Sequence, residues 1–287
     1  MKLSVVIPCY NAESTIEEQL DALADQHWTE PWEVVVANNR CTDNSIAIVR
    51  SYQSKIPNLR IVDASERQGQ PFALNIGAEA ALGEALAFCD ADDVVGEGWL
   101  KAIGDALSKH DFVACRVDAD KLNKEWNRNS RGNLQAIGLS RYNYPPFFSH
   151  AGGGTLGVKK NLHQIIGGFD ESFPYLHDTD YCWKLQLSGV KLVFVQDAVH
   201  HIRYRETFKA IFKQSVGYAE YNVLLYKKYR HLGMPKINID TAIDKWLNFL
   251  FRLYKIRSKT GMARSIWQFG RQYGRLKGSI KYRIMAL

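Results

Sequence analysis

The sequence predicts an α/β fold built on a mostly parallel sheet flanked by helices, with a helical C-terminal extension. Three observations carry this. Strand-like and helix-like segments alternate through residues 1–120, the pattern of right-handed βαβ units. Polar residues gather where apolar runs end, after Ile7, Ala37 and Cys89, and open α/β sheets bind ligands beyond the carboxyl ends of their strands. Beyond residue 205 the apolar spacing is helical to the end.

Taken in order, Leu3–Ile7 is an apolar run stopped by Pro8, and Ser14-Thr15-Ile16-Glu17 reads as a capping box. Ile16, Leu20, Leu23 and Ala24 then follow at helical spacing. Glu33–Ala37 is a valine-rich second strand, and a helix is expected from Thr42-Asp43 with Ile46 and Val49 on one face. Leu59–Val62 is a third strand. Pro71 opens the next helix, where a missing N–H costs nothing. Ala85–Cys89, a helix marked by Leu100, Ile103 and Leu107, and Phe112–Cys115 complete the series. Residues 118–150 are irregular, polar and aromatic (Trp126, Tyr142, Tyr144, Pro145, Pro146), a long connection suited to covering a substrate. Gly152-Gly153-Gly154 offers either close backbone approach or a flexible turn. A helix over Asp178–Ser188 ends at Gly189, and Lys191–Val195 is the last clear strand.

Apolar residues make up 46% of the chain and charged residues 23%, as in ordinary globular domains. The five cysteines are scattered without a CxxC pair, which points away from a disulfide framework or structural zinc and toward a reducing, cytoplasmic setting. No signal peptide is expected at the N-terminus, nor any run of 18 apolar residues that would span a bilayer. Charge is unevenly divided. Residues 202–287 hold 19 Lys/Arg and 4 Asp/Glu, whereas residues 1–201 hold 18 and 26. The basic tail therefore calls for an anionic partner. Trp246, Phe249, Leu250 and Leu253, with Arg252, Lys255, Arg257 and Lys259 nearby, and Trp267, Phe269 and Tyr273 among Arg264, Arg271, Arg275 and Lys277, suit an anionic membrane surface met through residues 240–287. The alternative is an aromatic face packed on the body. Nucleic acid is not the expected partner.

The sharpest chemical signal is Phe88-Cys89-Asp90-Ala91-Asp92-Asp93, an apolar strand ending in three carboxylates. Clustered like charges beside a buried strand are costly, and a hard divalent cation, Mg²⁺ or Mn²⁺, relieves them through oxygen ligands. Helix caps in a solvent turn are the alternative. The first strand ends in Pro8-Cys9-Tyr10-Asn11-Ala12-Glu13, without the GxGxxG of a dinucleotide fold. The second ends in Asn38-Asn39-Arg40-Cys41-Thr42-Asp43-Asn44-Ser45, and a third polar turn is Glu66-Arg67-Gln68-Gly69, followed by Asn75-Ile76-Gly77. Together these loops make a nucleotide-sized site on one sheet edge.

This order, V-V-I-P-x-Y-N, V-V-x-x-N-x-x-T-D-x-S, G-x-x-x-A-x-N-x-G and D-A-D-D, followed by Gly167-Gly168-Phe169-Asp170-Glu171 and His177-Asp178-Thr179-Asp180, resembles the family 2 glycosyltransferases over roughly residues 3–201. The resemblance implies a GT-A fold, with a catalytic domain over residues 1–204 and a basic extension over 205–287. Within the catalytic domain, 1–117 would bind the nucleotide sugar and 118–204 the acceptor. It also implies an inverting, metal-assisted transfer from a nucleotide sugar, UDP-linked, to a glycan or lipid-linked saccharide. Pro8, Tyr10 and Asn11 would line the base pocket, Asn38 would meet the base, Asp90 the ribose and Asp92 the metal. Glu13, Gly69, Asn75 and Ala91 complete the implied nucleotide-sugar site. Asp178 would be the general base, although an aspartate there is also a good helix cap. His200 or His201 would supply a further metal ligand, where surface or packing histidines are the common finding. Four positions depart from the family pattern: Asn38 for Asp, Arg40-Cys41 for Gly-Ser, and His177 for Glu. Trp99 is either a sugar-pocket aromatic or core, and Arg67 either a diphosphate contact or a solvated side chain.

Two rival readings follow from the same residues. A nucleotidyltransferase would carry a basic, Gly-rich first loop, and this loop holds no Lys or Arg. A non-catalytic binding module would use the basic, aromatic tail on a degenerate scaffold.

Overall fold

The computed structural model describes residues 1–56, 58–131, 135–142, 147–235 and 257–286. The expected membrane residues Trp246, Phe249, Leu250, Arg252, Leu253 and Lys255 lie outside them, as do Tyr144, Pro145 and Pro146. The chain divides into two compact units: Met1–Lys121, Leu134–Ser140 and Ser149–Arg203 form the first, and Leu122–Asn133, Arg141–Phe148 and Tyr204–Leu287 the second.

The first unit is built on β1 (Leu3–Cys9), β2 (Trp32–Asn38), β3 (Leu59–Asp63), β4 (Ala85–Phe88), β5 (Val94–Val95), β6 (Phe112–Asp118), β7 (Leu156–Lys159) and β8 (Leu192–His201). Their order in the sheet is β3-β2-β1-β4-β7-β6-β8-β5. The pairs β1–β2, β1–β4, β2–β3 and β6–β8 are parallel. β7 runs antiparallel to both β4 and β6, and β5 antiparallel to β8. The carboxyl ends of β1, β2, β3, β4, β6 and β8 thus share one edge. Helices α1 (Ile16–Ala24), α2 (Ser45–Ser51), α3 (Gln70–Ala80) and α4 (Trp99–Lys109) connect the strands. Ile16, Leu20 and Leu23 bury one face of α1 against Val5, Ile7, Val34 and Val36 in the main core. Trp99 is fully buried there, its indole N–H donating to Cys115 Sγ at 3.1 Å, which makes it core.

At the opposite edge, buried Glu33 accepts from Ser4 Oγ at 2.6 Å, from the Leu82 N–H and from Arg60 at 2.7 Å. Burial pushes its pKa up, but these bonds outweigh burial and hold the carboxyl below its ordinary range.

Three boundaries differ from expectation for physical reasons. The capping box does not form: Thr15, not Ser14, is the N-cap of α1. Its hydroxyl donates to the Ala12 and Ala91 carbonyls, and Glu18 binds Arg203 at 2.8 Å. α2 begins at Ser45 rather than Thr42 because residues 42–44 are engaged in bonds to the first loop. β8 is longer than its apolar run and continues past a register irregularity to His201.

After β7 come α6 (Lys160–Ile165) and α7 (His177–Leu187). Phe169 stacks on Tyr181 of α7, with ring centroids 4.2 Å apart, and meets Phe88 of β4 edge-on at 5.1 Å. His163 Nδ1 lies 2.9 Å from the Tyr181 hydroxyl, and burial depresses its pKa to about 4. This cluster fixes the amino end of α7 against the sheet.

The second unit contains α5 (Glu125–Arg131), α8 (Phe208–Tyr229) and α9 (Lys259–Tyr282). α5 lies in the stretch expected to be irregular. Its only large apolar residue, Trp126, packs edge-on against Phe208 and beneath Lys259, so no periodicity announces it. Arg131 sits over the rings of Tyr204 and Trp267. Gly270, Gly274 and Gly278 form a ridge on α9 facing α8, where added Cβ atoms would meet Ser215, the Val216 carbonyl and the Glu220 carbonyl. Between the helices buried Glu220 binds Lys277 and Lys281 at 2.8 and 2.6 Å, which holds its carboxyl below the ordinary range despite burial.

A Gly274→Ala substitution places Cβ 2.3 Å from the Val216 carbonyl oxygen. We expect it to lower stability by about 1–3 kcal/mol, read as a lower urea midpoint. Gly138→Ala, which meets nothing within 4 Å, serves as the neutral control.

Candidate active site

The loops after β1 and β2 are tied side chain to backbone. Asn11, with φ of 47°, accepts from the Thr42 N–H at 2.8 Å; asparagine tolerates this left-handed conformation. Glu13 accepts from the Asn44 N–H at 3.0 Å, and its own N–H donates to Asp43. The Ala12 N–H donates to Ser45 Oγ. Pro8 is buried within β1, while Tyr10 is half-exposed on this edge. Asn38 Oδ1 accepts from the Cys41 N–H at 3.0 Å.

Asn39, which the sequence reading passed over, organises the third loop. It is buried, donates to the Ala64 and Arg67 carbonyls at 2.6 and 2.7 Å, and accepts from the Gly69 N–H at 2.8 Å. Asn75 is bonded twice to the Phe169 backbone, at 2.9 Å each way. Arg67 forms an ion pair with Glu171 at 2.8 Å.

Asp90, Asp92 and Asp93 form the acidic cluster, each offering an oxygen within 4.8 Å of the others. Gln70 donates to Asp90 Oδ1 at 2.7 Å. Gln19 braces the backbone from below by donating to the Asp90 carbonyl and accepting from the Val95 N–H. Its one sequence signal is a polar residue on the apolar face of α1. Asp93 is buried and engaged on both oxygens: Oδ1 accepts from the Arg203 N–H at 2.8 Å, and Oδ2 lies 3.1 Å from His200 Nε2. Arg203 also donates through Nε to the Asp92 carbonyl. His201 turns instead to Asp118, at 2.7 Å. The structure therefore sets His200 behind the cluster and His201 on another carboxylate. Thr15 meets the Ala91 carbonyl.

Asp178 lies in the first turn of α7, not at its cap, which is Leu176 in the left-handed region at φ 61°. A bulky residue held there is strained. Asp178 Oδ2 accepts from the Gly153 N–H at 3.1 Å, and Oδ1 from the Thr179 N–H at 2.7 Å. The next residue, Gly154, lies so close to Asp90 that a Cβ would fall 2.8 Å from its Oδ2 and 3.0 Å from its backbone nitrogen. Close approach, not a loose turn, is what Gly154 provides. Gln135, also absent from the sequence reading, holds this turn: it accepts from the Gly152 N–H and donates to Cys115 and Thr155. His177 is buried, with its pKa lowered chiefly by burial, so the ring beside Asp178 is neutral.

The family model described as Glycosyl transferase family 2 matches residues 4–166. An Escherichia coli protein described as an uncharacterized glycosyltransferase, YibD, is 31% identical over 48% of this chain and 41% of its own. The Staphylococcus aureus poly(ribitol-phosphate) beta-N-acetylglucosaminyltransferase TarS is 35% identical over 38% of this chain and 19% of its own. The chain thus spans less than half the length of these curated relatives. A Campylobacter jejuni GalNAc(5)-diNAcBac-PP-undecaprenol beta-1,3-glucosyltransferase is 22% identical over 89% of this chain and 97% of its own. Among solved structures, S. aureus TarS in complex with UDP-GlcNAc superposes with a TM-score of 0.57 at 20% identity, covering 99% of this chain and 93% of that one. The mannosyltransferase PcManGT from Pyrobaculum calidifontis, in complex with GDP-Man and Mn²⁺, gives 0.65 at 20% identity, covering 96% and 87%. With this sheet order, these loops and the family match over residues 4–166, the chain belongs to glycosyl transferase family 2 and has its GT-A fold.

Proposed function

We propose that the protein transfers a glycosyl group, with inversion, from a UDP-linked sugar to a hydroxyl of a glycan or lipid-linked saccharide. The observation that carries this reading is the seating of Asp90 and Asp178 against the consecutive residues Gly154 and Gly153 on the sheet edge. A leaving-group site and a proton acceptor then lie on either side of one short turn.

The carboxylate cluster fits a divalent cation such as Mg²⁺ or Mn²⁺, because its donors are hard oxygens gathered within 4.8 Å. With Asp93 engaged by His200 and Arg203, Asp90 and Asp92 are the residues that would hold the ion. When bound, it neutralises charge developing on the departing diphosphate. Asp178, aimed by two backbone N–H groups, accepts the proton of the attacking hydroxyl. One base and one displacement give inversion. Tyr10 and Pro8 flank the base, and Asn38 Oδ1 keeps a second lone pair for the imide N–H that uracil and thymine share. The S. aureus neighbour with UDP-GlcNAc and the relative named for an undecaprenol-linked acceptor support the donor and acceptor classes.

Calorimetry with UDP, GDP and dTDP, with and without Mn²⁺, tests the donor site. UDP should bind in a metal-dependent way, and Asp92→Ala should abolish the metal dependence. Absence of binding by every diphosphate would return the chain to a non-catalytic scaffold. Asp178→Asn should lower kcat about 100- to 10,000-fold while leaving UDP affinity intact; equal loss of both would make Asp178 a structural residue. Gly154→Ala, by displacing Asp90, should weaken UDP binding at least about tenfold, and unchanged affinity would show that the close approach is incidental.

A further inference from the structure

Along one side of α9, away from the glycine ridge, a line of apolar residues is exposed. Ile280 is 72% exposed, and Met262, Tyr273 and Leu276 are each above 40%. With Phe269, which stacks on Phe212 of α8, they recur at intervals of seven, four, three and four residues and run along one side of the helix for about 27 Å. A straight apolar line of this length matches a planar apolar layer rather than a side-chain pocket.

The charge around the stripe selects its partner. α9 carries six Lys/Arg and no Asp or Glu. Phe212 sets one side of α8 next to the stripe, since its ring stacks on both Phe269 and Tyr273. That region of α8 adds exposed Lys209, Lys213 and Lys227. The single acid of α8, Glu220, is buried and neutralised by Lys277 and Lys281. A second copy of this chain would bring the same sign of charge to the seam. An anionic bilayer brings the opposite sign and an apolar layer beneath it. Among the described residues no helix is long and apolar enough to cross a membrane.

We infer that the α9 stripe, flanked by lysines of α8 and α9, is a docking face for an anionic bilayer, lying in its plane. Trp267 is not part of this face, because its ring is covered by Arg131 and Tyr218. Lys209 and Lys213 are part of it, although they lie outside the 240–287 stretch marked out by the sequence.

The test is co-sedimentation of the full chain with vesicles of phosphatidylcholine alone or mixed with phosphatidylglycerol, without donor or metal, so that it stands apart from the transfer chemistry. Binding should require phosphatidylglycerol and fall with added salt. Replacing Leu276→Glu and Ile280→Glu together should lower partitioning at least about tenfold, with circular dichroism unchanged. Should that pair disturb the fold, Lys209→Glu with Lys213→Glu, both on exposed positions, should lower it about tenfold as well. Partitioning unaffected by either folded pair would overturn the proposal. So would sedimentation of the wild-type chain as a dimer that the Glu pair converts to a monomer, which would assign the stripe to a second copy.

Discussion

The arrangement depends on one steric constraint: two consecutive residues without side chains are held between two carboxylates. Gly154 touches Asp90 so closely that a Cβ has no room, and Gly153 donates its N–H to Asp178. The strand topology creates this contact. β7 runs antiparallel beside β4, so its first residues lie where β4 delivers the acidic turn. Gln135 secures the turn from behind, and the Phe169–Tyr181 stack brings the start of α7 onto it. Separated by most of the sequence between residues 90 and 178, the two carboxylates owe their proximity to a turn that any side chain would push open.

Electrostatics explains why the acidic turn is stable without collapsing into three unpaired charges. The cost of gathering carboxylates is set by what faces them, and here the three are treated differently. Asp93 is buried and satisfied by the Arg203 N–H and His200. Asp90 takes a side-chain amide from Gln70. The two-residue β5, paired antiparallel with the end of β8, makes this possible by carrying His200 and Arg203 to the cluster. The histidines singled out as ligands therefore have an alternative physical role, in which His200 supports a carboxylate and His201 anchors Asp118.

Much of this was legible in the sequence because the signals were local. Mostly apolar runs of four or five residues marked β1, β2, β3, β4 and β6, and the residues just past them marked the edge that carries the candidate site. The parts that could not be read depend on partners remote in sequence. β5 and β7 are too short to show alternation, and they exist because β8 and β4 offer free edges. α5 has a single large apolar residue and is held by α9 and Phe208. Thr15 looked like part of a cap box, yet its hydroxyl is drawn to the Ala91 carbonyl, a competitor that no local pattern reveals. Asn39, Gln19 and Gln135 are ordinary polar residues whose importance lies in burial.

A consistent division of labour emerges among the polar residues of the edge. Asn11, Glu13 and Asn75 stand at positions that invite assignment to a ligand, and the structure engages each with loop backbone, as it does Asn39. Buried Asn39, bonded to three main-chain groups, holds the third loop rigid, because breaking these bonds leaves a desolvated donor or acceptor without a partner. Under the proposed function, a nucleotide entering this edge meets loops already fixed in place, so little of its binding energy goes into ordering them. Under the same proposal, Tyr10, exposed on the rim, and the carboxylates of Asp90 and Asp92 are the groups that meet the ligand. Asn11, Glu13 and Asn75, which the family resemblance places at the nucleotide sugar, also fix the loops that frame it.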